Sequence, residues 1–136
     1  MSIRLSLVIS LIGFFVLGAT LISCDTNPYP KGKAIYDQYC ISCHMADGTG
    51  LAALIPPLAN SDYYQNNQNK IACIILYGQM DSISVNGKIY NQKMEGISMS
   101  EIQITNLINY INTAWGNNIK IKTLKEVEED ISNCNQ

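Results

Sequence analysis

Histidine is nearly absent from this chain: His44 stands alone among 136 residues. A site built on two imidazoles from one chain is therefore excluded. So is distal histidine acid–base chemistry opposite a first histidine. No HxxxH pair and no second CxxC accompany the single CxxC, so a four-ligand zinc site lacks its other half. Basic clusters are missing too. Nine Lys and Arg against eleven Asp and Glu give a net charge of −2 and a pI near 5.2, which argues against nucleic acid as a partner. No internal repeat is visible. The length left after an N-terminal signal suffices for one small domain, whose core would be modest.

What is present is Cys40-Ile41-Ser42-Cys43-His44. This CxxCH spacing is the attachment signature of a c-type haem. Two thiols three positions apart reach the two vinyl groups along one edge of the macrocycle. The next residue then swings its imidazole onto one face of the iron. A thioredoxin-type redox pair wants a strand before the motif and a helix after it, whereas a helix-like stretch precedes it here and a Gly-rich loop follows. Zinc needs about four N or S ligands; Cys40, Cys43 and His44 supply three, packed too tightly. The motif and its context favour one covalent haem, which also gives a small domain a large apolar centre.

The chain starts with a short basic stretch, Met1 to Arg4, followed by an apolar run from Leu5 to Ile22. A charged start, an apolar core and a small residue before a cleavage point make a secretory signal. Leu21-Ile22-Ser23-Cys24 looks like a bacterial lipobox, with Cys24 as the lipidated first residue after cleavage. An uncleaved anchor is the alternative, since the run approaches the ~20 residues of a membrane span. Both readings put the domain outside the cytoplasm, on the periplasmic side, tethered to a membrane. The expected organisation is a signal peptide over 1–23, a membrane-proximal spacer over 24–30, a haem domain over 31–118 and a C-terminal extension over 119–136. Of the five cysteines, Cys73 and Cys134 are left over. In an oxidising compartment they could pair. The expectation is instead that Cys73 is a small buried apolar residue and Cys134 sits in a mobile tail.

Periodicity predicts a first helix over about Lys31–Tyr39, with Ala34, Ile35, Gln38 and Tyr39 at helical spacing and Gly32 and Tyr36 on another face. A loop over 45–60 carries Gly48, Gly50, Pro56 and Pro57. One or two helices follow over 61–78, ending at Gly78 as a C-cap. Asn86-Gly87, flanked by Ile83, Val85, Ile89 and Tyr90, reads as a hairpin or extended loop. The last major helix starts near Ser100, with Gln103 as its capping-box partner. Its apolar stripe is Ile104, Leu107, Ile108 and Ile111, and Gly116-Asn117 stops it. A short amphipathic helix in the tail would carry Leu124, Val127 and Ile131.

With one histidine spent on the iron, methionine is the natural sixth ligand. Met1 leaves with the signal, and Met45 is too close to His44 to reach the far face. Met94 sits on a loop just before the last helix, from which it can fold over that face. Met80 is the next candidate; Met99, beside the helix cap, suits an apolar contact.

The ordered set of motifs resembles class I, monohaem cytochromes c over about Gly32 to Asn117. It comprises Gly32-x3-Tyr36-x3-Cys40, Cys43-His44, Asp47-Gly48-x-Gly50, Pro56-Pro57-Leu58-Ala59, the Met94 loop, and Tyr110-Ile111-x3-Trp115-Gly116-Asn117. The resemblance implies an all-α fold of three to five helices around one covalent haem, with the first and last helices crossing. Gly32 and Tyr36 would meet the last helix near Leu107 and Tyr110. The Pro56 carbonyl would accept a hydrogen bond from His44 Nδ1. Two departures stand out: Glu95 follows Met94 where the family often has proline, and Met45 follows His44 where it usually has glycine.

The expected function is electron transfer rather than catalysis. A His/Met pair raises the potential, and redox encounters are small and transient. Suitable partners are a respiratory complex, an oxidase or a dehydrogenase, with the protein acting as a monomer or as a subunit of a larger complex. A haem enzyme or gas sensor would need an open or labile sixth position.

Overall fold

The computed structural model describes residues 27–134. The expected signal peptide over 1–23 and the expected lipidation site Cys24 lie outside the described residues. Six helices occur among those described: α1 (Pro30–Tyr39), α2 (Ile41–His44), α3 (Asp62–Asn66), α4 (Ile71–Tyr77), α5 (Glu101–Thr113) and α6 (Leu124–Ser132). Two antiparallel ladders accompany them. β2 (Ile83–Val85) pairs with β3 (Lys88–Tyr90), and β1 (Gly78–Gln79) pairs with β4 (Met94–Glu95). The fold is thus mainly helical, with one helix more than the upper expectation because the CxxCH motif itself forms a separate helical turn, α2. Among the described residues no helix is long and apolar enough to cross a membrane.

The core forms where α1 crosses α5. Gly32 sits at the crossing: a Cβ there would lie 2.0 Å from the Asn106 carbonyl oxygen and 2.6 Å from Tyr110 Cβ. Only a residue without a side chain lets the two backbones meet this closely. The face of α1 turned to α5 is Gly32, Tyr36 and Cys40, all buried, whereas Ala34, Gln38 and Tyr39 are exposed. The larger apolar set therefore does not mark the contact face; the glycine does. Tyr36, Tyr110 and Trp115 form a ring cluster with centroids 5.0–5.5 Å apart, where tilted and edge-on packing is favourable.

Caps set the helix limits. Pro30 opens α1 in the first turn, where its missing N–H costs nothing. The Ser100–Gln103 capping box starts α5. The Thr123–Glu126 pair forms a second box at α6. The hairpin turns at Asn86 and Gly87, both with positive φ, as a tight two-residue loop requires.

The C-terminal extension is docked rather than mobile. Asn109 Nδ2 donates to the Lys122 carbonyl and accepts from the Lys122 N–H on Oδ1, both at 2.8 Å. Buried Asn112 donates to the Lys120 carbonyl at 2.9 Å and accepts from Tyr64 OH at 2.8 Å. Val127 is fully buried. Cys73 and Cys134 form a disulfide, contrary to the expectation of two unpaired thiols. The docking of α6 brings Cys134 onto α4, a proximity invisible across 61 residues of sequence. Likewise the spacer reaches only part-way to residue 30, since Asn27 Nδ2 donates to Thr113 Oγ1 at 3.1 Å.

Two predictions follow from these contacts. Gly32→Ala drives a methyl group into backbone and lowers unfolding free energy by about 2–3 kcal/mol in denaturant titration. The Glu126 carboxyl is held down to about 2 by the Thr123 backbone N–H, Lys120 and the Thr123 hydroxyl. A depressed carboxyl stabilises fully above its unfolded value and loses that contribution as pH falls through the folded one. The Tm difference between the wild type and Glu126→Gln therefore shrinks as pH is lowered from 6 toward 2.

Candidate haem site

α1 ends at Tyr39, and the chain turns at once into the single turn of α2, which carries the CxxCH motif. The Cys40 carbonyl accepts from the N–H of Cys43 at 3.1 Å and of His44 at 2.9 Å. This turn sets the thiols and the imidazole on one short helical ribbon. Cys40 is buried and Cys43 exposed. Burial, with a smaller effect from Cys43, pushes the Cys40 thiol up to about 11.

The imidazole is oriented by backbone. His44 Nδ1 lies 3.1 Å from the Pro56 carbonyl oxygen. A carbonyl only accepts, so this contact assigns the proton to Nδ1 and leaves the Nε2 lone pair free. Burial lowers the His44 pKa, against the opposing effect of the Pro56 bond. The ring is thus held in its neutral, metal-ligating form. Gly50 N–H donates to the His44 carbonyl at 3.1 Å, and a Cβ on Gly50 would lie 2.3 Å from the Ile55 oxygen and 2.6 Å from the Pro56 oxygen. Close approach to this strap, at positive φ, is what the glycine provides.

The loop 45–60 is held by further backbone acceptors. Tyr36 OH donates to the Met45 carbonyl at 2.7 Å and Trp115 Nε1 to the Ala46 carbonyl at 2.9 Å. Gly48 packs beneath the Trp115 ring, where a Cβ would lie 2.5 Å from ring carbon. Asn117 Nδ2 donates to the Leu58 carbonyl at 3.2 Å, and Asn117 Oδ1 accepts from Asn60 N–H at 2.9 Å.

A cavity of about 390 Å³ opens beside the motif. Cys40, Cys43, His44 and Met94 all line it, with Pro56, Pro57, Leu58, Ile71 and Ile74. Met94 is the only methionine among the described residues that does so. Met80 is half exposed and lies outside it, and Met99 packs against the core. Ile83, Val85 and Tyr90 of the hairpin also line the cavity, as do Tyr63 and Tyr64. The sequence signals the hairpin members only indirectly, through alternation around Asn86-Gly87 that makes one hairpin face apolar. Gln79, Gln92, Lys93 and Glu95 are its polar and charged margin.

Met94 is brought there by β4. Its strand pairs with β1 in the register Gly78↔Glu95 and Gln79↔Met94, and Ile97 N–H donates to the Ile75 carbonyl at 2.7 Å. Neither contact was foreseen. Both rest on backbone groups, with glycines at 78 and 96 allowing the approach.

The competing metal reading lacks its residues: among the described residues no three His, Cys, Asp or Glu side chains group as a metal set. An apolar slot with two thiols, a neutral imidazole and a thioether on its walls instead fits a flat, hydrophobic iron macrocycle.

These features define a small helical domain shaped around a covalently held haem. The chain belongs to the cytochrome c family, whose model matches residues 29–115. It is 30% identical over 121 residues to cytochrome c-552 of Thermus thermophilus, covering 85% of this chain and 78% of that one. It is 35% identical over 102 residues to the cytochrome c subunit of the quinone alcohol dehydrogenase of Gluconacetobacter polyoxogenes, covering 73% of this chain and 22% of the subunit. A similar match, 25% identical over 100 residues, is the cytochrome c subunit of gluconate 2-dehydrogenase from Pantoea cypripedii. The protein is a class I monohaem cytochrome c. It carries covalent haem c and transfers electrons; it is not an enzyme.

Met45 adopts φ 62°, ψ 163°, a region close to glycine-only. The glycine usual at this position in the family removes that strain. Met45→Gly raises unfolding free energy by about 1–2 kcal/mol in denaturant titration, with the haem spectrum unchanged.

Proposed function

We propose that the protein is a membrane-tethered, extracytoplasmic electron carrier. In this reading Cys40 and Cys43 hold the haem through thioethers, His44 and Met94 are its axial ligands, and Cys24 bears lipid. The observation that carries it is the convergence of the sole histidine and one methionine on a single apolar cavity next to the CxxCH thiols. When bound, the haem supplies one-electron chemistry at its iron. The chain's own task is to keep both ligands in place in either oxidation state. Pro56 does so for His44 through its carbonyl, and β1 does so for Met94 through strand pairing. The Glu95 carboxylate on the cavity margin favours the ferric state and lowers the potential relative to a neutral residue there.

The tether is short. Cys24 and Asn27 are three residues apart, at most about 10 Å of chain. Such a leash keeps the domain near one membrane surface and raises its concentration around membrane-bound partners. The dehydrogenase subunits among its relatives support a dehydrogenase as electron donor, with an oxidase or respiratory complex as acceptor. Near the cavity, Lys88 Nζ and Tyr90 OH both donate to the Ala52 carbonyl, beside exposed Leu51 and Leu54 of the same loop. This rim suits brief apolar contact with a redox partner.

Met94→Ala abolishes the weak ferric charge-transfer band at the red end of the spectrum, whereas Met80→Ala leaves it. Rapid CO binding to the native ferrous protein at neutral pH would overturn the carrier reading. In cells fed labelled palmitate, wild type takes up the label and Cys24→Ala does not; retention of label by that variant overturns Cys24 as the lipidated residue, and an unlabelled wild type removes the lipid anchor.

A further inference from the structure

The Cys73–Cys134 disulfide is absent from the haem cavity lining, yet it lies one short helix from the Met94 strand. Cys73 is in the middle of α4, which continues directly into β1. β1 carries β4 and hence Met94. The backbone bond from Ile97 N–H to the Ile75 carbonyl ties the same segment to α4. The fit is close: a Cβ on Gly78 would lie 2.4 Å from the Met94 oxygen, and one on Gly96 would lie 2.4 Å from the Leu76 oxygen. Any displacement of the end of α4 therefore carries the Met94 strand with it.

α4 has seven residues, too few to hold a place by helical propensity alone. Two of its apolar side chains, Ile71 and Ile74, line the haem cavity. The disulfide fastens its outer side to the end of α6. α6 in turn is held to α5 by buried Val127, by the two bonds between the Asn109 side-chain amide and the backbone of Lys122 just before α6, and by the Lys122–Asp130 ion pair beside the cross-link. A link spanning 61 residues strongly restricts the ensemble in which α4 has moved away.

We propose that the Cys73–Cys134 disulfide is a positioning element for the distal ligand: it holds α4 and β1 so that Met94 stays on the iron. The inference rests on the reading of Met94 as that ligand. Removing the cross-link leaves the fold largely intact but lets the α4–β1–β4 unit open, exposing the sixth position to outside ligands.

The test is imidazole titration of the ferric, haem-loaded protein, read together with the red charge-transfer band. Four proteins are compared: wild type, Cys73→Ser/Cys134→Ser, Gly32→Ala and Met94→Ala. The double variant is expected to bind imidazole at least about tenfold more tightly than wild type, with a weakened band. Gly32→Ala strains α1 against Asn106 and Tyr110 of α5, on the His44 side, and not against α4, β1 or β4, so its imidazole affinity at the distal position is expected to stay near wild type. Wild-type affinity in the double variant, alongside tight binding by Met94→Ala, overturns the proposal and leaves the ligand assignment standing. Equal tightening in Gly32→Ala overturns it in favour of general destabilisation. An unchanged band in Met94→Ala overturns the ligand assignment itself, and the proposal with it. If the double variant does not accumulate with haem, wild type reduced with a phosphine, alkylated and reoxidised gives the same decisive comparison.

Discussion

The contact between α1 and α5 at Gly32 organises everything else. Two helix backbones meet there with no side chain between them. That closeness seats Tyr36 against Tyr110 and Trp115 and fixes where α1 ends. Since α1 runs within one residue of α2, the end of α1 determines where the two thiols and the imidazole stand. The other side of α5 supplies Asn109 and Asn112, which hold the chain after Trp115. One helix thus braces the motif directly and the C-terminal segment through hydrogen bonds.

Backbone atoms bear much of the precision at the site. The carbonyls of Met45, Ala46, Pro56 and Leu58 accept from Tyr36, Trp115, His44 and Asn117. A carbonyl does not depend on the identity of the residue that carries it. Met45 can therefore replace glycine after His44 without losing the bond from Tyr36, at the cost of backbone strain alone. The same logic governs the Met94 strand, whose partners in β1 are main-chain groups.

Features that declare themselves locally were readable in the sequence. CxxCH, the Ser100–Gln103 box and the Asn86-Gly87 turn each lie within a few residues and appear as expected. Counting ligand-type residues also singled out Met94, the methionine that lines the cavity. Periodicity alone pointed to another face of α1, because its buried face is marked by an absent side chain; the family resemblance placed Gly32 and Tyr36 against the last helix near Tyr110, where they lie. The contacts of the C-terminal segment were not legible. The docked tail is held by asparagines within the apolar stripe of α5. Asn109 and Asn112, fully or nearly buried, were the available signal: a polar amide in such a position requires partners. The disulfide follows from that docking and could not be read before it.

Trp115 is the sole tryptophan, and it sits where three things meet: the α1–α5 rings, the Ala46 carbonyl and the Gly48 turn. The molecule thereby carries a single indole, whose emission is separable from that of its eight tyrosines, at the junction nearest its attachment motif. Emission from that indole is quenched by energy transfer while a haem is held alongside, and it brightens when the junction parts. Opening at the opposite, α4 side leaves it dark. Light from one residue can therefore distinguish loss of the whole fold from a local excursion of the distal loop.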